Sequence, residues 1–229
     1  MLLDPEILAT IRARSFSMSA RPSQTIPIIC FGDSITQAYG PPERDRWPMA
    51  LQQRLDDWQP GRFKVFNRGI GGQTSSQGLD RIGCDVAPLL PGIVLIQFGF
   101  NDAVIMPGLK APRVGVDGFQ AKLREIHRVV RAGRGRPVFI INHTERSPDR
   151  QENGRTYQEN YKPYDKALRQ VAKSLRAAAI DLPLMMKERA VNLDAFLAAD
   201  GIHLTPDGNH LYADMVFEGL RSCVKTPGA

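Results

Sequence analysis

Five short runs of apolar and β-branched residues, at 27–31, 63–67, 92–98, 137–142 and 180–184, recur between longer segments whose apolar residues fall three and four apart. This alternation is the strongest constraint in the chain. A run that is apolar at nearly every position has no face to offer water, so it predicts a strand covered on both sides. The cover comes from the intervening segments at 47–58, 75–87, 117–132 and 157–179, each with the periodicity of an amphipathic helix. Near the end, Thr205-Pro206-Asp207 offers an N-cap, a proline in the first turn and an acid beside it, and predicts a closing helix to about Cys223. Strands alternating with helices, without a repeat or a linker, predict one three-layer α/β/α domain over 25–225, preceded by an N-terminal arm over 1–24.

Composition narrows the function classes. The 229 residues are 42% hydrophobic and 24% charged, the values of a globular chain. No apolar run approaches the ~20 residues of a membrane span, and the first 24 residues lack the charged start and apolar block of a secretory signal. Cys30, Cys84 and Cys223 are odd in number and widely spaced, which fits free thiols and predicts a cytoplasmic protein. The net charge of +6 is scattered, with only a modest cluster at 128–136, so a solvated helix end is expected there and no nucleic-acid partner. A homo-oligomer is compatible with all of this.

In a parallel sheet covered by helices, ligands bind at the carboxyl ends of the strands. There the chain places Gly32-Asp33-Ser34, then "NRGIGGQTS" (67–75), then Gly99-Phe100-Asn101-Asp102. A serine hydroxyl is a weak nucleophile at neutral pH and needs an imidazole to take its proton, which in turn needs an acid to hold its tautomer. Ser34, His203 and Asp200 are of those types. The backbone N–H groups of Ser34 and Gly72 and the side-chain amide of Asn101 are candidate oxyanion donors, worth about 3–4 kcal/mol each where preorganised. Two long loops at the same edge, 103–116 and 143–156, are of a length that is uncommon unless they bind or cover something.

Blander readings stand beside each of these. Alone, Ser34 is as well explained as a helix cap, Asp33 as a turn-holder and Asn101-Asp102 as a turn. "GIGG" falls short of a dinucleotide fingerprint because Thr74 stands where a glycine is required. A second D-x-x-H, Asp207 to His210, has the same spacing as Asp200 to His203. Its position in the first turns of the closing helix makes it an ordinary surface feature, whereas the first pair lies in a loop free to fold over the sheet edge. His127 is expected on a helix surface. His143, directly after the fourth strand, is a weaker candidate for the pocket wall and a substrate contact. No clustered His/Cys spacing indicates a metal site.

Taken as a set, "GDS", "NRGIGGQTS", "GFND" and "DGIHLTP" resemble the four motif blocks of the GDSL esterase/lipase family, the SGNH hydrolases, in the same order across residues 32–203. The resemblance implies a flavodoxin-like sheet of five parallel strands, and a serine ester hydrolase of carboxylesterase, lipase or thioesterase type that works without metal or cofactor on a small-molecule ester. It assigns Ser34, Asp200 and His203 to catalysis and Ser34, Gly72 and Asn101 to the oxyanion hole. Ile35 replaces the leucine of the first block, a volume-conserving change away from the chemistry. The rival readings are an acyltransferase using the same acyl-serine and a non-catalytic binding module on this fold.

Overall fold

A computed structural model of the chain describes residues 25–225; the arm expected over 1–24 lies outside them. Strands β1 (Ile26–Gly32), β2 (Phe63–Gly69), β3 (Ile93–Gln97), β4 (Arg136–Ile141) and β5 (Ala178–Asp181) pair in parallel in the order β2-β1-β3-β4-β5. The expected fold, a five-stranded parallel sheet in a three-layer α/β/α arrangement, is the one observed. Residues Ile93 to Gln97 are buried at every position, as a strand covered on both faces requires.

The helices are α1 (Ser34–Gln37), α2 (Trp47–Trp58), α3 (Ser75–Asp85), α4 (Val116–Ala132), α5 (Tyr157–Ser174), α6 (Leu182–Glu188), α7 (Leu193–Phe196) and α8 (Pro206–Lys225). On α4 the stripe Phe119, Leu123, Ile126 and Val130 is buried, each side chain contributing roughly 1.5–3 kcal/mol. Helices α3, α4 and α5 pack side by side, while α2 packs on α8 with the Trp47 and Tyr212 rings 5.0 Å apart. The crossover leaving β1 therefore goes to one face and those leaving β2, β3 and β4 to the other. The chain reverses its winding between β1 and β3, and at such a switch point the strand ends splay into a crevice. Gly32 at the end of β1 stands level with Gly69 of β2 and Gln97 of β3, so the loops that follow all open at this edge.

The structure departs furthest from the sequence reading at two boundaries. The fifth strand ends at Asp181, and Leu182 onward is helical rather than extended to 184. The Asp181 carboxylate accepts from Leu184 N–H at 3.2 Å and Pro183 lies in the first turn, so an apolar run read as one strand is half strand and half helix start. Helix α5 stops at Ser174, not 179, because Arg176 takes a left-handed φ of 50° and the N–H groups of Arg176 and Ala177 turn back onto Lys173 and Ala172 carbonyls. The closing helix begins as expected, Thr205 Oγ1 accepting from Gly208 N–H at 2.9 Å. Among the described residues no helix is long and apolar enough to cross a membrane.

Candidate active site

Strand β1 turns into α1 with no spare room: a Cβ on Gly32 would stand 2.2 Å from Thr36 Oγ1 and 2.5 Å from the Gln97 carbonyl oxygen. The cap of α1 is Asp33, whose Oδ1 accepts from Ile35 N–H at 3.0 Å. Ser34 is thus the first helical residue, its hydroxyl free of the capping role and its N–H among those a helix start leaves without an intrahelical acceptor. Because α1 has only four residues, few peptide dipoles align behind it, and the helix terminus adds less field at this point than a long helix would.

The loop before α8 brings the other two groups to Ser34. His203 Nε2 lies 2.9 Å from Ser34 Oγ, and His203 Nδ1 lies 2.5 Å from Asp200 Oδ2. With Nδ1–H donating to the carboxylate, Nε2 is left to accept the serine proton. The second carboxylate oxygen, Asp200 Oδ1, accepts from Ile202 and His203 N–H at 2.9 Å each, which closes the loop on itself. Partial burial works against ionisation of Asp200, but the hydrogen bonds from the His203 ring and the two backbone N–H groups outweigh it and hold the carboxyl below its usual range. Gly201 is required by two counts: its φ is +71°, and a Cβ would stand 2.8 Å from Ser147 N.

The other two candidate oxyanion donors follow β2 and β3. Gly71 N–H donates to Gln37 Oε1 at 2.9 Å, and a Cβ on Gly71 would come within 3.8 Å of Ser34 Cβ, so the 69–72 turn lies against the serine. Gly72 has φ +72° and its carbonyl accepts from Arg113 Nη1 at 2.7 Å. Asn101 Nδ2 donates to Asp33 Oδ2 at 3.3 Å, which orients the amide and leaves it a second hydrogen.

Beneath the crevice lie polar groups that periodicity could not flag. Asp33 is fully buried, and that burial, helped by like charge on Asp102, pushes its carboxyl up to about 7 against the hydrogen bonds it accepts. Asp102 accepts from Ser75 N–H at 3.1 Å and from Ser75 Oγ–H at 2.5 Å, tying the β3 loop to the start of α3; burial raises it to about 6. Gln97 Oε1 accepts from Thr36 Oγ1 at 2.8 Å, its amide donates to Asn142 Oδ1 at 2.9 Å, and the Asn142 amide donates to Tyr161 Oη and to the Phe98 carbonyl, each at 3.0 Å. The one signal for this chain was Gln97 itself, a polar residue ending the otherwise apolar run "IVLIQ".

Of the remaining histidines, His210 faces Asp45 at 3.7 Å, away from Ser34, and His127 stacks on Phe139. His143, the weaker candidate for the pocket wall, is buried. Its residue is 1% exposed, its ring sits edge-on to Phe100, Phe196 and Tyr212, and its Nε2 lies 2.8 Å from the Ile202 carbonyl oxygen. Burial lowers it to about 4, so it is neutral at pH 7 and, facing a carbonyl that can only accept, donates from Nε2. That bond ties it to the loop that carries His203. The cavity it borders, about 460 Å³ between residues 142–145 and α5, is lined by neither Ser34 nor His203. A larger one of about 910 Å³ opens at the opposite end of the strands, around Arg136 and Ala178, and contains none of these groups.

Comparison with known proteins identifies the family. A model of the GDSL-like lipase/acylhydrolase family matches residues 30–211. The thioesterase 1/protease 1/lysophospholipase L1 of Escherichia coli (strain K12) is 28% identical over 204 residues, covering 86% of this chain and 84% of that protein. The lipoprotein YqeF of Bacillus subtilis (strain 168) is 37% identical over 98 residues, covering 42% of this chain and 40% of that protein. Among solved structures, a lipase/acylhydrolase from Enterococcus faecalis superposes with a TM-score of 0.72 at 24% identity, over 90% of this chain and all of that one. The acetyl xylan esterase AlAXEase gives 0.70 at 22% identity, over 85% of this chain and 100% of its own. At these identities the structural likenesses establish the fold.

Proposed function

Because the chain belongs to the GDSL-like lipase/acylhydrolase family and is an ester-hydrolysing enzyme, we propose that it works through an acyl-serine formed on Ser34, with His203 as general base and Asp200 as its orienting acid. The observation that carries this reading is the unbroken row from Asp200 Oδ2 through the His203 ring to Ser34 Oγ, with steps of 2.5 and 2.9 Å. His203 Nε2 takes the serine proton as Oγ attacks the acyl carbon. The tetrahedral oxyanion is received by the N–H groups of Ser34 and Gly72 and the Asn101 amide. Collapse expels the alcohol or thiol, which collects the proton from His203; water then repeats the sequence and releases the acid.

The crevice is open. Side chains of His203 and Asp200 are 48% and 47% exposed, and Gly72 is exposed. Ready access of water to the acyl-serine favours hydrolysis over transfer to an alcohol, which requires a drier site. Five large apolar side chains are strongly exposed among the described residues, and four of them, Tyr39, Ile70, Met106 and Leu109, sit on the loops that follow β1, β2 and β3. Exposed apolar side chains on the loops of the edge that carries Ser34 support an acyl chain longer than acetyl. Replacing Ser34 by alanine is expected to remove turnover of p-nitrophenyl esters from a protein with an unchanged melting curve; wild-type turnover in that variant overturns the reading. Across an acetyl-to-decanoyl series, kcat/KM rises beyond acetyl if those side chains bind the acyl chain, and peaks at acetyl if they do not.

A further inference from the structure

The loop that carries Asp200 and His203 is held from outside by three bonds to its carbonyls. Arg146 N–H donates to Gly201 at 2.8 Å and Ala198 N–H to His203 at 2.7 Å. The third donor is the only side chain among them, His143 Nε2–H on the Ile202 carbonyl. Ile202 stands between Asp200 and Ser34's partner, so any rotation of its peptide changes the angle at which the imidazole meets the hydroxyl.

Burying an imidazole for a single hydrogen bond is costly. His143 Nδ1 has no partner, and an orphaned buried acceptor costs about 1–3 kcal/mol. A phenylalanine in the same box of Phe100, Phe196 and Tyr212 avoids that penalty, and packs on the aromatic rings equally well. What phenylalanine cannot do is donate to Ile202. The groups facing the ring are the three aromatics and the Ile202 carbonyl, with Asp200 and His203 beyond them. Strand β4 is rigid: Val138 to Ile141 are buried and paired to β5. His143, two residues past its end, transmits that rigidity to the loop.

Building on the Ser34–His203–Asp200 reading, we propose that His143 is a positioning residue for the reaction, its Nε2–H on the Ile202 carbonyl fixing the 200–203 loop so that the His203 ring meets Ser34. It touches no reacting atom and transfers no proton. Its effect is on the fraction of time His203 is aligned, and hence on kcat rather than on substrate binding.

The test compares His143→Phe, which keeps the packing and loses the donor, with His143→Gln, whose amide nitrogen reaches the same point and keeps it. On a soluble p-nitrophenyl ester, the Phe variant is expected to lose roughly 10- to 100-fold in kcat, the penalty of a misplaced catalytic group, with KM within about twofold. The Gln variant is expected to recover most of that loss, and the rate of inactivation by a fluorophosphonate probe is expected to follow kcat in both. A Phe variant with wild-type kcat, or a Gln variant as impaired as Phe, overturns the proposal. Should the Phe variant fail to fold, His143→Asn takes its place: the same amide on a shorter stem cannot reach Ile202 and is expected to behave as Phe. Ser34→Ala separates the two levels. If it still turns over, the reading of the site fails; if it is inert while the His143 variants are normal, only the positioning role fails.

Discussion

Two segments seven residues apart share the pattern Asp-Gly-x-His: Asp200-Gly201-Ile202-His203 and Asp207-Gly208-Asn209-His210. In the first, the Asp200 side chain closes a loop onto the backbone of Ile202 and His203 and still offers an oxygen to the His203 ring. In the second the residues are helical, Asp207 lies in the first turn of α8, and His210 looks to Asp45 across the surface. The glycines differ too. Gly201 has the left-handed φ that a loop reversal needs, whereas Gly208 has a helical backbone and is small because Phe196 O would stand 2.0 Å from its Cβ. Residue type and spacing are therefore the same in both, and backbone conformation decides which pair can reach Ser34.

The sharpest way to break this comparison is to remove each histidine. His203→Ala is expected to lower kcat for a p-nitrophenyl ester by roughly 10³-fold or more, while His210→Ala stays within about twofold of wild type. Equal losses would remove the distinction between the pairs. The acids follow at smaller scale: Asp200→Asn is expected to cost about 10²- to 10⁴-fold in kcat through the wrong imidazole tautomer, and Asp207→Asn to leave steady-state rates unchanged.

Substituting the glycines sharpens the contrast. Gly201→Ala strains a left-handed residue and pushes a Cβ against Ser147 N. Its expected cost is about 1–3 kcal/mol in denaturant unfolding, together with at least a tenfold fall in kcat of the folded protein. Gly208→Ala forces apart α8 and the Phe196 carbonyl, so it is expected to lower the melting temperature while active-site titration shows the folded fraction retaining most of its specific activity.

The smallest effect concerns pH and two acids beside Ser34 that shift in opposite directions. Asp200 lies below its unfolded value, so its contribution is present above about pH 4 and is lost only as pH falls through the lower folded value. Asp33 is raised to about 7. The folded protein holds its proton more tightly than the unfolded chain, so that stabilisation is full below about pH 4 and is lost as pH rises through 7. Unfolding free energy in Asp33→Asn is therefore expected to fall less between pH 5 and 8 than in wild type; parallel curves would show that the buried carboxyl is already ionised.

Much of the fold was legible because continuous apolar runs and 3.6-residue stripes encode burial directly. Ile93 to Gln97 and the Phe119 to Val130 stripe are instances. The end of β5 was not, because an apolar run reads alike in a strand and in the first turn of α6. Ser34, His203 and Asp200 could be nominated from residue types, order and chain position, although their mutual distances could not. His143 was visible only as a histidine after a strand. Its bond to Ile202 joins residues 59 positions apart, and nothing local in "INHTER" specifies such a partner. The Gln97–Asn142–Tyr161 chain was hidden for the same reason.

The account rests on Ser34 being the atom that becomes acylated, and the most direct measurement is the site of covalent modification. Treated with a fluorophosphonate probe, digested and analysed by mass spectrometry, the wild-type enzyme is expected to carry a single adduct, on Ser34, formed as activity is lost and greatly slowed in His203→Ala. An adduct on another residue, or loss of activity with Ser34 unmodified, would contradict it.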